Sequence, residues 1–125
     1  MLLYLAGPYS PTETATTEEN IQAARRVAVE LWGAGYAVIC PHLNTAGFEK
    51  DLPDMAPQDF VDRDLEIVPR CDALVLFPGW RRSTGARREL EVAIWHNLPV
   101  YEWEQEREVL LGKQRGKVHG RAGIA

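Results

Sequence analysis

Short apolar runs alternate along this chain with longer stretches whose apolar residues recur every three to four positions. Leu2–Ala6 reads as a first strand, ended by Gly7-Pro8. Thr16 and Glu19 have the spacing of a capping box, and Ile21, Ala24, Ala28 and Leu31 then repeat at helical spacing until Gly33 and Gly35 stop the helix. Residues 36–40 form a second strand, closed by Pro41. Residues 42–56 read as a long loop, a length that is usually functional. Pro57 suits the first position of a helix that runs to about Val68 and stops before Pro69. Residues 73–77 are a third strand, 84–96 a helix, 99–103 a fourth strand and 104–112 a closing helix.

Strands that alternate with helices imply a parallel sheet covered on both faces. Such sheets bind ligands beyond the carboxyl ends of their strands. Four segments are therefore expected at one rim: residues 7–10, 42–47, 78–85 and the chain after Trp103. One domain over residues 1–112 is expected, followed by a basic, Gly-rich tail over 113–125 that carries Lys113, Arg115, Lys117 and Arg121.

Composition narrows the function classes. The 125 residues are 46% hydrophobic and 26% charged, enough for one domain with a real core. A net charge of -4 gives no nucleic-acid signature. Cys40 and Cys71 lack metal-ligand or redox spacing and read as reduced, buried thiols of a cytoplasmic protein. Residues 2–6 are too short for a signal peptide, and no apolar run approaches the ~20 residues of a membrane span.

The chemistry concentrates between Cys71 and Glu89. The apolar strand breaks at Pro78-Gly79, and Ser83-Thr84-Gly85-Ala86 leads into a helix. A small-residue turn feeding a helix leaves free N–H groups and a positive dipole end, an anion site. An acid early in that helix, Glu89, is expected to be held ionised by the dipole, and an ionised carboxylate can attack carbon. Glu89 has Gly85, Ala86, Val92 and Ala93 at helical offsets, all small or apolar. Arg81, Arg82, Arg87 and Arg88 crowd the same region, at least two of them expected to be solvated.

A second acid stands out. Asp64 has Phe60, Val61, Ile67 and Val68 at helical offsets, whereas Asp62 has mostly polar neighbours. Burial on that apolar stripe raises a carboxyl pKa, as a general acid requires. Capping of a neighbouring loop or pairing with an arginine is the other reading of Asp64. Two carboxylates in different environments suggest glycosidic chemistry, with one attacking an oxocarbenium-like centre and the other protonating the leaving group. The anion site suggests a phosphorylated sugar.

The sequence from Asp64 to Asp72, the strand after it, and Ser83-x-Gly85-x-x-x-Glu89-x-x-x-Ala93 resemble the nucleoside 2-deoxyribosyltransferase superfamily, which includes the 2'-deoxynucleoside 5'-phosphate N-hydrolases. The resemblance covers roughly residues 3–100. It implies that Glu89 is the nucleophile, forming an ester at C1' of the sugar. Asp64 is then the acid near the base, and Tyr4 the tyrosine that hydrogen-bonds the nucleophile. From the residues alone, Tyr4 is a core aromatic. Gly7, Pro8 and Tyr9 fall where that family's first loop touches sugar or base. Ser83, ahead of Gly85 and Ala86, matches a position that is serine in the nucleotide hydrolases, where a carboxylate would repel a phosphate dianion. His42 and Asn44 follow strand two and either read the base or cap the loop. The first loop, Gly-Pro-Tyr-Ser, lacks the glycine-rich, arginine-bearing form of the well-known nucleotide hydrolases.

The expected architecture is a flavodoxin-like, Rossmann-like three-layer α/β sandwich around a central parallel sheet of four to five strands. The expected activity is N-glycosidase action on (2'-deoxy)nucleoside 5'-monophosphates through a covalent Glu89 intermediate. Base exchange on free deoxynucleosides is one alternative, and a non-catalytic nucleotide-binding or sensing module is another. No metal or organic cofactor is implied. The resemblance implies a homodimer or larger homo-oligomer with a small-molecule substrate; the lack of a long apolar run speaks against a membrane partner, and the net acidic charge with only a short basic tail speaks against nucleic acid.

Overall fold

The computed structural model describes residues 1–122, with side chains to residue 112. Four parallel strands, β1 (Leu2–Ala6), β2 (Ala37–Ile39), β3 (Ala73–Leu76) and β4 (Val100–Glu102), form one sheet in the order β2-β1-β3-β4. Tyr4 lies opposite Ile39 on one side and Leu74 on the other. This is the doubly wound α/β arrangement, with the order reversing between β1 and β3.

Alternation along the strands divides the core in two. Leu3, Leu5, Ala73, Val75 and Phe77 point to the face covered by helix α1 (Thr17–Gly33) and helix α6 (Trp103–Ala122), and bury against Val27, Leu31 and Leu110. Tyr4, Ala6, Leu74 and Leu76 point to the opposite face, against Val68 and against Ala86 and Ala93 of helix α5 (Thr84–Trp95). Both faces are covered, so the strands are apolar almost throughout. Truncating a fully buried residue such as Leu5 to Ala costs about 2–5 kcal/mol.

Local signals place the helices. Thr16 accepts from Glu19 N and Glu19 returns the bond to Thr16 N, so α1 begins in the expected capping box. Helix α4 (Pro57–Asp64) starts at Pro57, with Asp59 accepting from Ala56 N. It stops four residues short of the expected end. Pro69 has no N–H to return to Leu65, and the ladder tightens to Glu66 N–Arg63 O and Ile67 N–Asp64 O before a 3-10 turn at Val68–Arg70. Residues 42–56 are not one loop: they hold two helical turns, α2 (Pro41–Asn44) and α3 (Phe48–Asp51). Helix α6 begins at Trp103, turns back over α1 and continues past the expected end at Gly112, and Tyr36 donates its hydroxyl to Leu110 O at 2.6 Å. The basic side chains of Lys113, Arg115, Lys117 and Arg121 lie outside the described residues. Among those described, no helix is long and apolar enough to cross a membrane.

Candidate active site

A cavity of about 720 Å³ opens where the sheet order reverses. Its floor is set by close packing of two loops, those that follow β1 and β3. An added Cβ on Gly7 would lie 2.3 Å from Phe77 Cε1, so only glycine lets the first loop cross that ring. Gly79 has φ +95° and sits against Pro8, whose Cγ would be 3.0 Å from an added Cβ. Asn20, buried on α1, donates to Tyr9 O and Ser10 O at 3.1 Å each and holds the rest of that loop.

Glu89 and Asp64 both line this cavity. Glu89 is buried, and Tyr4 beneath it donates its hydroxyl to Glu89 Oε2. Tyr4 itself does not line the cavity. Ser83 caps α5 by accepting from Ala86 N at 3.1 Å, and Ser83, Gly85 and Ala86 line the wall beside Glu89. Arg82 and Arg88 line the same wall, and Arg88 also pairs with Asp62 at 3.3 Å. Arg81 turns away to Glu102, at 3.3 Å.

The proton arrangement differs from the expected one. Burial pushes the Glu89 carboxyl up to about 8; the Tyr4 hydrogen bond opposes this, and the nearby Asp64 charge reinforces it. Burial pushes Asp64 up to about 6. An ionised Glu89 was expected from the dipole of α5. However, Glu89 is the sixth residue of that helix, and the dipole's influence fades within the first turn. Desolvation therefore wins, and near neutral pH the pair holds its proton mainly on Glu89. The Tyr4 hydroxyl is also pushed upward, first by burial and then by Glu89.

Gly7, Pro8, Tyr9 and His42 line the cavity as well, but Asn44 does not: it is exposed at the end of α2. His42 is buried, with ring contacts to Tyr9 and Phe77, and its Nε2 meets Pro8 O at 2.7 Å. Its Nδ1 is buried without a hydrogen-bond partner among the described residues. Burial lowers the His42 pKa against the opposing pull of the Pro8 and Gly7 carbonyls, so the neutral ring props the first loop. Among the described residues, none after Trp103 lines the cavity, because α6 folds straight back over α1. Glu104 and Gln105 instead line a separate hollow of about 310 Å³ with Trp80 and Glu102.

Two cavity residues escaped sequence reasoning. Asn20 shares the helical phase of Ala24, Val27, Ala28 and Leu31, a polar residue on an apolar stripe, so the signal that exposed Asp64 was present there too. Glu49 carries no such signal. It enters the cavity wall only because α3 folds toward Tyr9, whose hydroxyl lies 3.1 and 3.2 Å from its two oxygens.

The fold has a solved counterpart. The chain is similar to the 2-deoxyribosyltransferase of the psychrotolerant bacterium Bacillus psychrosaccharolyticus, at 22% identity with a TM-score of 0.51, over 82% of this chain and 71% of that one. That likeness establishes the shared doubly wound architecture. None of the curated proteins compared matches this chain. A family profile described as a domain of unknown function, DUF4406, matches residues 1–102. That span holds all four strands and every residue lining the cavity, and by this match the chain belongs to the DUF4406 family.

Proposed function

We propose that this chain cleaves the N-glycosidic bond of (2'-deoxy)nucleoside 5'-monophosphates by a retaining route. The observation that carries the reading is the shared cavity: a buried Glu89 held by Tyr4 opens into the same space as Asp64 and the Ser83-capped start of α5. In the first step a Glu89 oxygen bonds to C1' as the bond from C1' to the base nitrogen breaks. The proton of Asp64 goes to the departing base. Water then attacks C1', giving its proton to Asp64, and the ester opens to free Glu89. Free sugar phosphate and free base are the products.

The phosphate reading rests on the wall beside Glu89. Helix-terminal N–H groups and the Arg82 and Arg88 guanidiniums favour an anion, and the neutral Ser83 hydroxyl does not repel one. Incubating the protein with a panel of deoxynucleoside monophosphates and following base release tests the activity. Mass spectrometry should find a sugar-phosphate adduct on the peptide that contains Glu89. Base release surviving near the original rate in Glu89→Ala overturns the covalent route.

Base exchange on free deoxynucleosides is the second reading, favoured by the similarity to a protein named as a 2-deoxyribosyltransferase. Supplying a deoxynucleoside with a different free base separates the two. A new nucleoside indicates exchange, whereas base and sugar phosphate from a nucleotide indicate hydrolysis.

A further inference from the structure

We propose that Glu49 is a specificity-determining residue that selects ligands whose base carries an exocyclic amino group. This rests on the nucleotide reading above and deepens it.

The charges around the cavity are unevenly placed. Among its lining residues the acids are Glu49, Asp64 and Glu89, and the arginines are Arg82 and Arg88. Sheet order separates them. Glu49 lies on the segment that follows β2 at the sheet edge, while Arg82 and Ser83 follow β3. With strands about 4.8 Å apart, these segments emerge roughly 10 Å from each other, on either side of β1. Tyr4 of β1 holds Glu89 between them. A nucleotide with C1' at Glu89 and its phosphate at the start of α5 therefore extends its base toward Glu49.

Glu49 is equipped to read that base. Tyr9 donates its hydroxyl to the carboxylate at 3.1 and 3.2 Å, and Gly47 N lies 3.5 Å from the same hydroxyl. These contacts fix α3 against the first loop. One hydroxyl leaves lone pairs of the carboxylate unused, and no cation pairs with Glu49 among the described residues. An ionised carboxylate only accepts hydrogen bonds. The amino groups of cytosine, adenine and guanine each supply two N–H donors at the edge of the ring; thymine and uracil offer a single ring N3–H, flanked on both sides by carbonyl oxygens that a carboxylate repels.

The test is a binding series in Glu89→Gln, which cannot form the ester. Calorimetric titration with dCMP, dAMP, dGMP, dTMP and dUMP should give about tenfold tighter binding for the three amino-bearing nucleotides. Adding Glu49→Gln should remove that preference, because the amide presents a donor as well as an acceptor. Equal affinities across the five, or a preference untouched by Glu49→Gln, overturns the assignment. Base release by the unsubstituted protein is measured in parallel. A preference that depends on Glu49 without any base release supports this assignment and removes the hydrolase reading alone.

Discussion

Tyr4 on β1 donates its hydroxyl to Glu89 on α5, a residue 85 positions further along the chain. Both groups are buried, so the bond operates in a medium where a charge is poorly solvated. It favours the carboxylate, whereas burial and the Asp64 charge both favour the acid.

Removing that bond should therefore make Glu89 harder to ionise. In Tyr4→Phe, base release is expected to fall about 10- to 100-fold, the worth of a hydrogen bond to a charged group. The alkaline limb of its pH–rate profile, which falls at the higher, Glu89-dominated value, should move to higher pH. An unchanged limb would mean that Tyr4 only fills space.

Glu89 should also make stability depend on pH. Its folded pKa of about 8 lies above the ordinary value of 4.5, so between these values the native state holds a proton that the unfolded chain has released. Stability then falls as pH rises from about 5 to 8, by an amount on the order of a few kcal/mol. Glu89→Gln keeps an acceptor for Tyr4 but cannot titrate. Its melting temperature should exceed that of the parent at pH 8, and the gap should close near pH 5. A gap that does not vary with pH counts against a buried, protonated Glu89.

The proposed reaction needs Glu89 ionised and Asp64 protonated, the reverse of their order of acidity. With Glu89 pushed up to about 8 and Asp64 to about 6, the productive arrangement is the minor one of the singly protonated forms. The pH–rate profile should be a bell centred near pH 7, midway between them, with limbs that belong to the pair and not to either residue. Asp64→Asn should lower the rate 10²- to 10⁴-fold and flatten one limb. A bell retained intact in that variant would assign the limb to another group.

Ser83→Asp offers a clean test of the phosphate wall. Aspartate still caps α5, so stability should change by less than about 1 kcal/mol. The added charge should weaken a nucleoside monophosphate at least tenfold more than the corresponding free nucleoside, as competition binding at low salt would reveal. Equal losses for both ligands would place the phosphate elsewhere.

Much of the fold was legible because its signals are local. The Thr16–Glu19 box, the stop at Gly33 and Gly35, Pro57 at a helix start and the apolar runs around Leu5 and Val75 each act within a few residues, and strand–helix alternation then implies a parallel sheet. The two acids could be picked out because helical periodicity shows which neighbours a side chain keeps. The end of α4 was misread because Pro69 acts four residues back through the N–H it lacks. The turns α2 and α3 carry too little periodicity to stand out from a loop.

The chain's own order of residues determined which elements form, the faces they bury and the placing of two carboxyls among apolar neighbours, since these follow from backbone geometry and spacing. Tertiary structure alone decided that Tyr4 reaches Glu89, that Glu49 enters the cavity wall while Asn44 stays outside, and that Glu89 holds its proton more tightly than Asp64. Those outcomes depend on how far each group is removed from water and which distant groups it meets there. Desolvation and through-space charge are set by the packed molecule, and no local pattern encodes them.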